Sequence, residues 1–241
     1  MRSHSTRSPW KQHQKARCFS TIGVAFAEAG DASKAAVYYQ RAIGLNPQYT
    51  SAIINLGNLF QSQGNYSQSA ALYERAISLD QRDPDAWVNL GNLYLQLALN
   101  QQAKIAYENA IALKSNDVEA IIDLGAALQR LGDLSGAEQA YQRAIAVDPS
   151  QASAYCNLGA LFLQEGNVAA AREELIKALE HNSSYAPAYF DLGVLYEHTG
   201  SRNLAIEMYK KALDIQPDYQ HARSNLERIE ARPGASAHHL P

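Results

Sequence analysis

The chain has 241 residues, 46% of them hydrophobic, with 21 basic residues, 24 acidic ones and a formal charge of -3. That apolar content supports a packed core and excludes a disordered chain, while no apolar run approaches the roughly eighteen residues that cross a bilayer, so membrane insertion is not expected. Charge is spread unevenly, since Arg2, Arg7, Lys11, Lys15 and Arg17 all precede the first acid, Glu28, and leave the rest of the chain acidic, a balance that repels nucleic-acid phosphates and argues against a specific nucleic-acid partner.

Residues 1–15 are expected to be a basic, flexible arm. Three readings stay open for it: a plain leader, a polybasic contact or an organelle transit peptide. Two cysteines, Cys18 and Cys156, stand far apart, which fits reduced, semi-buried thiols and a cytoplasmic chain better than a disulfide scaffold.

From residue 16 onward one phrase recurs. Ile22-Gly23, Leu56-Gly57, Leu90-Gly91, Leu124-Gly125, Leu158-Gly159 and Leu192-Gly193 follow at a stride of 34 residues, and a fixed stride of this size marks a tandem array of small units. Six units follow in order, 16–49, 50–83, 84–117, 118–151, 152–185 and 186–219.

Numbering each unit from one, the third carries Trp87, Leu90, Gly91 and Tyr94 at positions 4, 7, 8 and 11, one face of a first helix, A. Ala103, Tyr107 and Ala110 at positions 20, 24 and 27 mark a second amphipathic helix, B. Small residues at positions 8, 20 and 27 remove bulk where helices approach, and the tyrosines at position 24 read as core filling with phenol tips reaching polar partners.

Position 15 holds Gly30, Gly64, Gly132, Gly166 and Gly200, suited to a left-handed helix end. Asp31, Asn65, Asp133, Asn167 and Ser201 follow as candidate caps for helix B. The third unit has Ala98-Leu99 instead, so its turn is expected to shift or its helix A to run longer. Pro47, Pro149 and Pro217 end helices B, and Asp83-Pro84 opens a helix A. Residues 220–231 predict a capping helix, with Arg223 and Glu227 at the aromatic and glycine positions, and residues 232–241 a disordered tail.

The set Trp87, Leu90, Gly91, Tyr94, Ala103, Tyr107 and Ala110 resembles the tetratricopeptide repeat. That resemblance covers residues 16–219 and implies an all-α fold, a right-handed α-solenoid of six helix-turn-helix units plus the capping helix. It further implies that positions 2, 6, 9 and 13 of helix A line a concave groove. Position 6 reads Asn55, Asn89, Asp123, Asn157, Asp191 and Asn225, joined from position 9 by Asn58 and Asn92. Side-chain amides donate and accept together, so such a ladder can pair with an extended peptide backbone, as a similar ladder does in proteins resembling the repeat half of O-linked N-acetylglucosamine transferases. An ordinary consensus amide, hydrated or bonded to the next helix, is the competing reading.

Ile54, Val88, Ile122, Cys156 and Phe190 stand at position 5, on the expected groove flank. Relatives that clamp a chaperone's terminal carboxylate need cations on neighbouring A helices; apolar residues, with Asp123 and Asp191, point instead to a neutral or mildly basic protein or peptide partner. No phosphate-binding glycine loop, metal-binding helix motif or nucleophile elbow is present, so neither an enzyme nor a cofactor or metal site is expected. His198 and His221 beside Asp191 and Glu197 read as solvated histidines on an acidic rim. The sequence thus describes a non-catalytic interaction adaptor, the alternatives being the substrate-targeting module of a larger enzyme such as a glycosyltransferase, or an assembly factor for a membrane complex. Oligomeric state is not legible.

Overall fold

The computed structural model describes residues 9–231, and thirteen helices and no strands occur among them. Two compact units divide the chain, one ending at Asp123 and the other starting at Leu124. The first holds α1 (Pro9–Glu28), α2 (Ala32–Leu45), α3 (Thr50–Ser62), α4 (Tyr66–Leu79), α5 (Pro84–Gln96) and α6 (Asn100–Leu113), and the boundary falls within α7 (Val118–Leu131). The second holds α8 (Leu134–Val147), α9 (Ala152–Gln164), α10 (Val168–His181), α11 (Ala186–His198), α12 (Arg202–Ile215) and α13 (Gln220–Ala231).

In the first unit α1 packs on α2, α3 on α4 and α5 on α6, while α2 also meets α3 and α4 meets α5. Helices α1, α3 and α5 adjoin one another in turn, forming an A layer backed by a B layer. The second unit repeats this scheme, with α9 beside α11, α10 against both, and α12 between α11 and α13.

Hairpins close tightly because of one recurring contact. A Cβ built on Gly57 would fall 2.6 Å from Tyr73 Cε1, and one on Gly91 would fall 2.7 Å from Tyr107 Cε1. Gly23 with Tyr39, Gly125 with Tyr141 and Gly193 with Tyr209 are in the same relation. Each ring therefore lies flat against helix A where a side chain is missing. The fifth repeat substitutes Leu175, whose branch still occupies the space beside Gly159. Phenol tips find partners: Tyr73 donates to Asn58 Oδ1 at 2.5 Å, Tyr107 to Asn92 Oδ1 at 2.6 Å, Tyr141 to Gln129 Oε1 at 3.1 Å and Tyr209 to Glu197 Oε2 at 3.1 Å.

Position 4 shows a second rule. Trp87 Nε1 donates to the Gln81 carbonyl at 3.2 Å, Tyr189 Oη to the Ser183 carbonyl at 3.2 Å, and Arg223 Nη2 to the Pro217 carbonyl. The arginine that breaks the aromatic pattern in α13 thus keeps the bond that ties the start of helix A to the preceding loop. Farther along, Arg228 forks onto both carboxylate oxygens of Glu197, which also accepts from Tyr209. The capping helix is thereby tied to α11 and α12.

Three expectations require correction. The basic arm was expected to reach residue 15, yet α1 begins at Pro9, a residue suited to a helix start. His13 pairs with Asn46 Nδ2 at 3.0 Å and sets its ring edge-on to Tyr49, while Ala16 is fully buried, so this stretch is held as helix. Residues 1–8 and the tail at 232–241 lie outside the described residues. Ala98 neither shifts its turn nor extends its helix: it takes φ 57° and makes the glycine-type pair of bonds, Ala98 N–H to Leu95 and Leu99 N–H to Tyr94. Packing of α6 on α5 fixes both arms of this hairpin and holds the left-handed turn despite its Cβ. Of the caps, Asp31, Asp133 and Asn167 accept from Lys34, Gly136 and Ala170 N–H, whereas Asn65 and Ser201 do not cap by side chain; Asn65 turns its amide toward Gln63 instead.

Two stability changes of opposite sign follow. Ala98→Gly should raise unfolding free energy by about 1 kcal/mol by relieving the left-handed Cβ, read as a higher urea midpoint at unchanged m-value. Gly57→Ala should lower it by about 1 to 3 kcal/mol through overpacking against a fully buried ring, even though alanine is the better helix former; an unchanged midpoint would refute the Gly57–Tyr73 contact as a packing constraint.

Candidate binding face on the A helices

The polar face begins with the helical repeat itself. Steps of about 100° carry positions 6, 9 and 13 onto one side of each A helix; Thr21 at position 6 of the first repeat is exposed, whereas Asn55, Asn89, Asp123, Asn157 and Asp191 of the later repeats and Asn225 of the capping helix are half-buried. They do not behave as one set. Asn89 donates to the Asp85 carbonyl of its own helix at 2.7 Å, and Asn225 donates to the Tyr209 hydroxyl at 3.3 Å. Asn58 and Asn92 use their carbonyl oxygens to satisfy buried tyrosines, so half of each amide belongs to the core.

In the first unit these side chains line a cleft of about 440 Å³ between α3 and α5, formed by Asn58, Gln61, Ser62, Tyr66, Asn89, Asn92 and Gln96. Every one of those residues is neutral and polar. A chain of bonds orders its floor: Gln61 Oε1, 2.9 Å from Tyr73 Oη, shares the phenol proton with Asn58, Gln61 Nε2 donates to Gln96 Oε1 at 2.8 Å, and Gln96 Nε2 donates to Tyr66 Oη at 3.1 Å. The second unit repeats the central step, Gln129 Nε2 donating to Gln164 Oε1 at 2.8 Å beneath Tyr141. Sequence reading missed these glutamines. Their signal was present, a glutamine at position 12 answered by one at position 13 of the next repeat, but it is spaced by 35 residues and slips past a search at 34.

The apolar flank expected at position 5 needs revision. Ile54 and Ile122 are 8% and 7% exposed and Cys156 only 2%, so all three belong to the core. Ile54 packs with Tyr73 and Leu90, and Cys156 with Leu175 and Leu192. Val88 and Phe190 alone of that set stay half-exposed. Cys18, read as semi-buried, is exposed. His198 and His221 are also exposed, while Glu197 is engaged by Arg228 and Tyr209, and no metal-holding group of histidine, cysteine or carboxylate occurs among the described residues.

Two carboxylates depart from the neutral pattern. Burial pushes Asp123 up to about 6, with the charges of Glu119 and Asp117 adding to the effect. In the second unit burial likewise pushes Asp191 up to about 6, relieved in part by Cys156, whose Sγ donates to Asp191 Oδ2 at 3.3 Å. Burial and the neighbouring Asp191 charge hold the Cys156 thiol well above its ordinary value, which keeps it protonated and unreactive. Tyr185 and Tyr219 are both pushed up to about 12, mainly by burial and secondarily by the neighbouring Asp191 charge.

Comparison with known proteins now places the chain. Sequence models described as TPR repeat match residues 57–97 and 130–166, and others described as tetratricopeptide repeat match 150–218 and, separately, 16–49 with 84–117. The chain belongs to the tetratricopeptide repeat family, whose fold is generally a non-catalytic protein-interaction scaffold. No curated protein sequence matches it.

Among solved structures, it resembles a chain of the APC/C hetero-tetramer Cut9–Hcn1 with TM-score 0.75 and 23% identity over 89% of its length, while spanning 43% of that chain. It is similar to YrrB, described as a TPR protein with an unusual peptide-binding site, with TM-score 0.56 and 28% identity, over 78% of this chain and 97% of that one. PilF of Pseudomonas aeruginosa matches with TM-score 0.74 and 15% identity, over 90% of this chain and 99% of that one. The first and third show the fold alone. No helix among the described residues is long and apolar enough to cross a membrane.

The raised carboxyl of Asp191 makes a signed prediction. Its proton is bound more tightly in the folded chain than in the unfolded one, so its contribution to stability is full below about pH 4 and is lost as pH rises through about 6. Asp191→Asn should therefore be more stable than the parent at pH 7.5 by about 1 to 2 kcal/mol, with the gap closing toward pH 4. Urea melts at pH 4, 5.5 and 7.5 would check this, and a variant less stable at pH 7.5 would contradict the assignment.

Proposed function

We propose that the chain is a non-catalytic adaptor that takes an extended polypeptide segment onto the A-helix face, where side-chain amides pair with the segment's main chain. The observation that carries this reading is the all-neutral, amide-rich cleft between α3 and α5. Amides present donors and acceptors together, matching the alternating N–H and C=O of an extended strand whatever its side chains. Pre-ordering of Gln61, Gln96 and Asn92 by their existing bonds reduces the entropy lost on binding. The 28% identity to a TPR protein described as peptide-binding supports the same reading.

The partner expected here is neutral or mildly basic. Asp123 and Asp191 oppose an acidic segment, and Ile54 and Ile122 lie in the core where a carboxylate clamp would need cations. The adaptor role carries no catalytic step.

A selection of random dodecapeptides on the purified full chain tests this. Peptides recovered should bind with little sequence preference in the stretch over the cleft. Asn89→Ala combined with Gln96→Ala, two cleft residues neither of which accepts from a buried tyrosine, should weaken them at least tenfold, about 1.4 kcal/mol, at unchanged melting temperature. Affinity untouched by the double variant would remove the cleft from the binding surface.

A further inference from the structure

Asp191 occupies a slot that elsewhere holds asparagine. Asn55, Asn89, Asn157 and Asn225 show that a neutral amide of the same shape fits position 6, so the only thing Asp191 adds is charge. That charge is half-buried and its one hydrogen-bond partner is the neutral Cys156 thiol. Among the described residues no cation pairs with it: Arg223 is turned onto the Pro217 carbonyl and Arg228 onto Glu197. A carboxylate kept in a costly place without a counter-charge is an invitation to a positive ligand group.

A ring cluster adjoins it in the second unit. Phe190, the residue before Asp191 in α11, packs on the buried Tyr209 at 5.9 Å and stacks obliquely on Tyr219 with centroids 5.2 Å apart, and His221 stands edge-on to Phe190 and Tyr219, 6.3 Å and 6.2 Å away. Phe190 adjoins Asp191 in α11 and Tyr219 contacts Phe190, which brings the ring cluster next to the carboxylate; the Asp191 charge acts in turn on Tyr219 and Tyr185. Apart from Tyr209, these side chains are partly exposed. Half-exposed aromatic faces beside an unpaired carboxylate suit a planar cation, which gains from stacking, from the ring quadrupole and from the ion pair together.

We infer that Phe190, Asp191, Tyr219 and His221 form a receptor for an arginine side chain carried by the bound polypeptide. The guanidinium lies against the rings and pairs with the Asp191 carboxylate, while Cys156 continues to hold the other face of that carboxylate through its S–H. This rests on the adaptor reading above and names a chemical requirement for a polypeptide taken up by the second unit: an arginine in the bound segment.

The test separates the two. Butylguanidinium is titrated into the full chain at pH 7.5 and the ring proton signals of Tyr219 and His221 are followed by NMR, with neutral butylurea as the isostere. Saturable shifts are expected from butylguanidinium and not from butylurea, weakened at least fivefold by Asp191→Asn, a substitution whose shape other repeats already accept. Equal shifts from the two probes, or butylguanidinium binding unaltered by Asp191→Asn, would overturn the receptor. In the dodecapeptide selection, an arginine preference that Asp191→Asn removes supports it. Peptides that bind without such a preference sink the receptor and leave the adaptor reading standing, whereas butylguanidinium shifts in a chain that selects no peptide uphold the receptor and sink the adaptor reading.

Discussion

The ring of a position-24 tyrosine lying on a bare stretch of helix A is the contact on which each hairpin depends. It sets the distance between the two helices, because the ring thickness replaces a side chain that glycine does not have. It also creates an obligation. A phenol carried into the core must find an acceptor, and the open face of helix A offers them. Asn58, Gln61, Asn92, Gln129 and Glu197 are those acceptors. Packing on one side of the helix thus dictates amide chemistry on the other. Part of the polar face exists to serve the core, and its availability to a ligand is a by-product of the orientation this service imposes.

The turn at Ala98 shows how tertiary packing outweighs a local preference. Propensity asks for a residue without a Cβ at φ 57°, and the chain supplies one with a Cβ. The bonds on either side of it match those around Gly64, and α5 ends as α3 does. A penalty of about 1 kcal/mol is small against the burial of Ala103, Tyr107 and Ala110 on α5 and their neighbours. The strain is retained because either alternative, a longer helix or a displaced turn, would rotate α6 out of register and expose that face.

What the sequence made legible is whatever repeats at the helical or the 34-residue period. Helix pairs, the Gly-Tyr partnership and the position-6 column all announce themselves in this way, because identical neighbours demand identical residues. Position 5 was misjudged for a physical reason: it lies one step, about 100°, from the polar face, and whether such a residue faces solvent or the next repeat depends on the inter-helix angle, which no single-helix projection contains. Ile54 and Cys156 turned inward while Phe190 did not. The paired glutamines 61 and 96 lie between repeats with a one-residue offset, so they belong to the geometry of stacking and not to that of the unit. Asp191 was visible as a letter, but that Arg223 and Arg228 leave it unpaired was not, since that is a statement about where those two side chains spend their hydrogen bonds.

A ladder of amides has a weakness as a recognition device. Because it pairs with any backbone, it accepts a segment in several registers displaced by whole residue pairs, each with nearly the same energy. One charged contact removes that degeneracy, since only the register that places a cation at the carboxylate avoids leaving a half-buried ion unpaired. In the proposed reading the amides of the second unit, such as Asn157, supply tolerance and the ring-flanked Asp191 supplies register. The two carboxylates are not equivalent in this respect. Asp123 has Glu119 and Asp117 for company, which spreads negative charge over a surface and attracts cations without positioning them. Asp191 is alone among rings, and a single charge with apolar walls fixes a partner's place far better than a diffuse field does.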